Sequence, residues 1–441
     1  MRLYFARPDR VCTGLTLLVA LIFISVPAGS APAASPSSFS EPVGELTLER
    51  AVEAALARNP DLVASAYELR AADARVLQSG LRPNPALSTE FENFAGTGPV
   101  RGVDATETTL SLSQVIELGG KRALRQSVSG ADRDRITTEQ QARELDALAE
   151  VTRRFVAVVS AQERVTLART TSELAQKTLD AIAIRVQAAR SPEAERSRAQ
   201  IALTRTRLDL QQAEAELRSA RQELSATWGS IEPRFTEARA PLFTLDDVQP
   251  FATLVERLER SPDFVRFASE ARLREAELRL AQAQARPDLT LSAGVRRLQE
   301  TRDHALVAGF SIPLALNNRN QGAIREAEVR RDQNGAERAA AFVRARATLF
   351  GLYQELTTAR ARLETLLKEA VPQAETALAQ TQYGYERGRF SFLELSTAQQ
   401  DLLALREAAI AAATDYHQSR TEIERLTHES LSPRTSEQDA P

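Results

Sequence analysis

The sequence predicts a mainly α protein with a small β part, in which one unit of helix, strand pair and long helical hairpin occurs twice. Three observations carry this expectation. First, landmarks return about two hundred residues later. Asn59-Pro60-Asp61-Leu62 returns as Ser261-Pro262-Asp263-Phe264, and Pro85-Ala86-Leu87 as Pro287-Asp288-Leu289, both at an offset of 202. Ser113 with Gly119-Gly120-Lys121 returns as Ser311 with Asn317-Asn318-Arg319 at 198, and Ala199-Gln200 as Ala398-Gln399 at 199. Such duplication implies pseudo-symmetry, with the small drifts in offset absorbed in loops. Second, 26% of the 441 residues are charged and only 5% are aromatic, while Gly is sparse. That mixture belongs to long helices and coiled coils. Third, four short stretches alternate apolar and polar residues with period two, the pattern of strands.

Taken in order, the chain opens with Arg2, Arg7 and Arg10, an apolar run from Val11 to Val26, and small residues around Ala31-Pro32-Ala33. These features predict a secretory signal peptide over 1–33. The apolar run falls short of the ~20 residues needed to span a bilayer. Cys12, the single cysteine, lies inside this segment. The mature chain is therefore expected to use no disulfide, no Cys-ligated metal and no thiol chemistry. Residues 34–44 are rich in Pro and Ser and predict a flexible N-terminus.

Helix is expected from about Leu46 to about Leu81, interrupted where Asn59 caps a new start at Pro60. Pro83 and Pro85 stop it. Leu87, Thr89 and Phe91 then share one face of a strand, and Thr108, Leu110 and Leu112 one face of a second, joined by a polar loop. The second half repeats this with Leu289, Leu291, Ala293 and Val295, then Leu306, Ala308, Phe310 and Ile312 before Pro313. Strands of this length suit the ~9–11 residues of a tilted membrane crossing.

Between Lys121 and Arg190 there is no proline and one glycine, Gly130. Seventy residues at about 1.5 Å each make a rod of roughly 105 Å. A second long run goes from Gln321 to about Tyr383, with Pro372 as the expected kink. Each rod breaks and returns. Leu203, Leu210, Leu217 and Leu224 recur every seven residues in the first return helix, followed at three by Thr206, Ala213, Ala220 and Thr227. Leu402, Ala409, Tyr416 and Ile423 repeat the seam in the second. Large and small residues alternating on a heptad predict close interhelical packing. The expected boundaries are a first repeat over 45–229, a linker over 230–249, a second repeat over 250–430 and a disordered tail over 431–441.

Four strands cannot close a membrane barrel, since the smallest use ~8. Open edges in hydrocarbon leave backbone groups unpaired at several kcal/mol each. Closure across three subunits gives a twelve-stranded transmembrane β-barrel, and the rods then assemble as a trimeric α-barrel. That is a conduit.

The order of signal peptide, strand pair, long hairpin and repeat resembles the TolC family of outer-membrane efflux proteins over essentially the whole mature chain. Ser113-Gln114-Val115-Ile116-Glu117-Leu118-Gly119-Gly120-Lys121-Arg122 resembles the strand-to-helix corner of its heavy-metal branch, the CzcC-like proteins. Tyr385-x-x-Gly388-x-x-Ser391-x-Leu393-Glu394-Leu395 resembles the family's periplasmic tip. The resemblance implies a homotrimer set in outer-membrane lipid and reaching into the periplasm. Its partners would be a periplasmic adaptor and an inner-membrane RND pump driven by protons. It implies no enzyme activity and no cofactor. The implied cargo is heavy-metal cations such as Co, Zn and Cd or Cu and Ag, with multidrug or type I secretion channels as the alternative.

Candidate functional residues follow. The family carries an acidic residue facing the channel axis where Glu394 stands, and three copies would form a carboxylate ring that favours cations. The other reading of Glu394 is a solvated residue stabilised by its helix N-terminus. Glu195 is its counterpart in the first repeat. Tyr385, Gly388, Arg389, Ser391 and Leu393 form the second tip, where adaptor docking follows from tip shape. Arg190, Ser191 and Pro192 form the first, which departs from the motif because Ala189 stands in place of Gly388. Gly119, Gly120 and Lys121, with Asn317, Asn318 and Arg319, mark the corners where strand becomes helix and unusual backbone angles are expected. Trp228 reads as core packing.

No phosphate-binding glycine loop occurs, and His304, His417 and His428 share no ligand spacing. A net charge of -3 gives no reason to expect nucleic acid. A periplasmic adaptor would show one hairpin and not two in duplicate. A soluble coiled-coil scaffold would need neither signal nor strands.

Overall fold

The computed structural model describes residues 41–428. The expected signal peptide and C-terminal tail lie outside the described residues. The first two helices start where side chains serve free amides. Thr47 caps α1 (Leu48–Arg58) by accepting from the Arg50 amide, and Asn59 Oδ1 accepts from Asp61 and Leu62 to start α2 (Pro60–Ser79). Asn59 also donates to the Thr227 carbonyl at 3.0 Å, which ties this start to the far end of the first repeat.

Three residues, Gly44–Leu46, form β1, which pairs in parallel with β4 (Phe235–Ala238). Alternation gives no sign of strands this short. Burial explains them: Leu46 and Phe235 are fully enclosed, and Phe235 meets the buried Trp228 edge-on.

β2 (Ala86–Glu92) and β3 (Glu107–Ile116) form one hairpin, and β5 (Leu289–Leu298) and β6 (His304–Ser311) another. The two hairpins join into one antiparallel sheet in the order β2-β3-β5-β6. Its register sorts the side chains by face. Rows Leu87–Leu112–Ala293–Ala308 and Thr89–Leu110–Val295–Leu306 lie on one side, and Ser88–Ser111–Gly294–Val307 on the other. The apolar face is uncovered, with Leu306 at 89% and Phe310 at 77% exposure. β2 and β6 are edges with free backbone groups.

From the sheet the chain enters α3 (Lys121–Gln187), 67 residues without a break, and returns as α4 (Glu193–Ala226). The second repeat runs through α5 (Phe251–Leu258) and α6 (Pro262–Gln284), then α7 (Gln321–Thr365) and α8 (Val371–Glu386), and returns as α9 (Phe392–Thr427). Between α7 and α8 the helix widens into a π-helical turn over Leu366–Ala370. Pro372 lacks an N–H, and in a regular helix its ring would press on the carbonyl four residues back. The wide turn absorbs that misfit where the sequence predicted a kink.

The predicted heptad seam is buried at Leu203 and Leu224, and its counterpart at Leu402, Ala409, Tyr416 and Ile423. α3 packs against α4, α6 and α9, so it joins the two repeats. Thr414 donates to Ser160 across this junction at 2.8 Å. Arg425 pairs with Asp146 of the first repeat and Asp263 of the second. Among the described residues, no helix is long and apolar enough to cross a membrane.

Candidate functional site

Two helical tips and two strand-to-helix corners hold the residues singled out above. At the first tip α3 ends with Ala189 in the left-handed region at φ 52°. The Ala189 amide donates to Val186 at 2.9 Å and the Arg190 amide to Arg185 at 2.8 Å. At the second tip Gly388 has φ 72°, and its amide donates to Tyr385 at 2.9 Å while Arg389 donates to Gly384 at 2.8 Å. Both tips thus end in the same double closure of the last helical carbonyls. The departure of Ala189 from the glycine motif leaves the turn geometry unchanged.

Side chains at the two tips differ. In the second, a Cβ on Gly384 would overlap the Phe390 ring, so the turn is held by an apolar contact. In the first, the same positions are Arg185 and Ser191, and Arg185 Nε donates to Ser191 Oγ at 3.3 Å. Ser391 accepts from the Glu394 amide while Glu394 Oε2 accepts from the Ser391 amide at 2.7 Å, a complete capping box. Pro192 caps the first return helix with no side-chain bond.

Glu394 is fully exposed, and the Ser391 amide and hydroxyl hold its carboxyl below the usual glutamate range. Glu195 turns inward instead. One of its oxygens is buried without a hydrogen bond, as is the Tyr385 hydroxyl. Burial and then the Glu195 carboxylate push that hydroxyl up. Leu393 is 66% exposed, and Arg190, Pro192 and Arg389 are also open to solvent.

Sequence reasoning missed the joint between the tips. Arg185 donates to the Tyr385 carbonyl at 2.9 Å, and its guanidinium lies 4.6 Å from the Tyr385 ring centre. Ile182, Ala199, Tyr385, Phe392 and Leu395 close a small core around it. No local spacing announces a contact across 200 residues.

At the first corner Gly119 and Gly120 both take positive φ, 75° and 71°, directly before α3. Lys121 is only 8% exposed and donates to Asp288 at 2.8 Å. The Leu118 amide donates to the same oxygen, and Glu117 grips Arg125 with both oxygens. Burial pushes the Asp288 carboxyl up, but the Lys121 ammonium and Leu118 amide outweigh it and hold it low. Hydrogen bonding to Arg125 lowers Glu117 despite its burial.

The second corner corrects the expected alignment. Asn317, Asn318 and Arg319 are exposed, and none has positive φ. The left-handed residue is Asn320, at φ 60°, directly before α7. It lies two residues later than the repeat offset predicted. Asn tolerates this region because its short amide can bond locally, and Asn320 Nδ2 donates to Ala281 at 2.8 Å. Asn318 Oδ1 instead accepts from the Asn320 amide. Among the described residues no cluster of three or more His, Cys, Asp or Glu could hold a metal ion.

Comparison with known proteins accords with this architecture. Residues 51–230 and 253–427 each match the family profile described as outer membrane efflux protein. The cobalt-zinc-cadmium resistance protein CzcC of Cupriavidus metallidurans is 32% identical over 392 residues, covering 88% of this chain and 91% of that protein. The nickel and cobalt resistance protein CnrC of the same organism is 30% identical over 275 residues, covering 61% of this chain and 64% of that protein. Among solved structures, CusC superposes with a TM-score of 0.72 at 16% identity, over 91% of this chain and 98% of that one. The chain belongs to the outer membrane efflux protein family, a TolC-like channel homologous to metal resistance proteins, located in the outer membrane and extending into the periplasm.

Proposed function

We propose that three copies of this outer membrane efflux protein form one passive exit duct for heavy-metal cations, the last part of a tripartite system driven by an inner-membrane RND pump. One observation carries closure with neighbouring copies, and the number three is the one the TolC-like resemblance implies. The sheet ends in two unpaired edges, β2 and β6, and exposes a continuous apolar face. In hydrocarbon each unpaired backbone group costs several kcal/mol, so β6 of one copy must pair with β2 of the next until the ring closes. The apolar face then meets lipid, and the polar face lines the passage.

Likeness to a cobalt-zinc-cadmium resistance protein over nine-tenths of its length supports metal cations such as Co, Zn and Cd as cargo. The exposed Glu394 carboxylates, brought together threefold, form a ring that admits cations at the inner end. Since Ser391 lowers the Glu394 carboxyl, the ring stays charged until the pH falls below the ordinary glutamate range. Phe390, Leu393, Arg389 and Arg190 at the tips are the surfaces an adaptor would read, with Glu195 facing inward as support.

The decisive experiment is deletion of the gene followed by challenge with metal ions. Sensitivity to Co, Zn, Cd, Cu or Ag ions is expected, whereas sensitivity to organic drugs alone would move the protein to the multidrug group. In detergent the mature protein should run as a trimer, and a stable monomer in plain buffer would end the duct reading. In a planar bilayer Glu394→Ala should weaken block by divalent cations; undiminished block would retire the ring.

A further inference from the structure

The sheet end remote from the helices holds a cleft that conduction does not require. Phe91, Thr108, Arg297 and His304 form a single cross-strand row on the apolar face. Phe94 and Val103 from the β2–β3 loop, with Gln299 beyond β5, complete the walls around about 440 Å³. All three loop and strand apolar residues, Phe91, Phe94 and Val103, are exposed in the protomer.

Charge distinguishes this row from those beneath it. Arg296, on the polar face, is held by Glu92 at 2.9 Å and Glu107 at 2.7 Å. Arg297, one residue on and facing the other way, forms no ion pair or hydrogen bond among the described residues, and no carboxylate lines the cleft. Thr106 Oγ1 lies buried at the cleft without a partner. The cleft thus holds one unpaired cation and one buried unmet hydroxyl, beside the side chains of Thr108 and Gln299 and the apolar walls.

Depth in the membrane follows from the strand. At about 3.3 Å per residue and a tilt near 40°, the stretch from Leu289 to Arg297 rises roughly 20 Å, close to the height of the apolar band. The helices extend into the periplasm, so this end meets the outer leaflet. An unpaired guanidinium on a lipid-facing surface is tolerated only at the headgroup level, where an anion can complete it.

We propose that this cleft binds a phosphorylated lipid of the outer leaflet. The Arg297 fork takes the phosphate through two parallel hydrogen bonds, a geometry a lysine cannot reproduce. Thr106 and Gln299 bond to phosphate or neighbouring headgroup oxygens. Phe91, Phe94 and Val103 cover the first methylenes of the acyl chains, as aromatic residues do at membrane interfaces. This inference rests on the sheet being a membrane wall and is independent of the cargo.

The test is titration of the full mature protein in detergent with diphosphoryl lipid A, read by native mass spectrometry. Arg297→Gln and Phe94→Ser should each weaken binding by about tenfold or more, while Arg302→Gln, at the neighbouring turn outside the cleft, should not. Trimer mass and single-channel conductance of Arg297→Gln should match wild type, which separates a lost lipid from a lost duct. Unchanged binding in Arg297→Gln would overturn the proposal. So would equal binding of the dephosphorylated lipid, displacement by an equal concentration of sodium phosphate, or equal loss in Arg302→Gln.

Discussion

The two helical tips of this protein close with matching backbone hydrogen bonds and different side chains. Ala189 and Gly388 hold the same left-handed turn, yet one tip is tied by Arg185 to Ser191 and the other by Phe390 lying on Gly384. The corners diverge further. The first is pinned by the pair of buried Lys121 and half-buried Asp288, while the second relies on Asn320 and exposed neighbours. The comparison teaches that duplication transmitted a backbone path, while the chemistry on it was free to change. An adaptor that touches all tips of the proposed ring would therefore meet two surfaces in alternation, one polar and proline-capped, the other apolar with an exposed carboxylate held in the Ser391 capping box.

The largest effect is expected at the corners. Asp288→Ala leaves a nearly enclosed ammonium without its partner and should destabilise the protein by roughly 2–3 kcal/mol. Arg319→Ala at the second corner should stay within about 0.5 kcal/mol. Thermal unfolding in detergent compares them, and equal losses would dissolve the distinction. Glu117 and Asp288 are held below ordinary carboxylate values, so their contribution is complete above pH ~5, clear of the unfolded-state values. It fades as the pH falls through the lowered folded-state values. Acid should therefore loosen the first corner, and hydrogen exchange at Leu118 should report it before Asn320 responds.

Opposite signs are expected when the turn residues are exchanged. Gly388→Ala places a Cβ in the left-handed region and should cost about 1 kcal/mol. Ala189→Gly removes that strain and should gain up to about 1 kcal/mol, reduced by the added freedom of the unfolded chain. If both destabilise, the tips are less alike than their hydrogen bonds suggest.

The smallest effect concerns the caps. Ser391→Ala should lose about 1 kcal/mol of local stability. Pro192→Ser would place Ser three residues before Glu195 and so transplant the capping box, with a gain of a few tenths to 1 kcal/mol. Amide exchange in the first turn of each return helix measures both changes. A faster-exchanging Glu195 amide in Pro192→Ser would show that the inward Glu195 cannot be recruited.

Much of this fold is legible in the sequence. A first rod without proline, a second with its single Pro372, four alternating strands and heptad seams are local patterns, and each corresponds to elements close to its expected bounds. Exact equivalence of the corners was not legible, because offset arithmetic cannot see that Asn320 and not Asn318 takes the left-handed angle. β1 and β4 escaped because strands of three and four residues carry no period. The change from Ala86 to Asp288 between repeats was visible in the sequence, but its meaning was not.

What the sequence determined by itself is the set of elements and their repetition, since helix and strand periods, prolines and caps act over a few residues. Only tertiary structure decided which faces and charges meet. Arg185 finds Tyr385, Lys121 finds Asp288, and Arg296 is paired while Arg297 is left open, all through contacts between segments far apart in the chain. Such contacts depend on how rods and strands lie beside one another, and that arrangement follows from the burial and hydrogen bonding of the whole molecule.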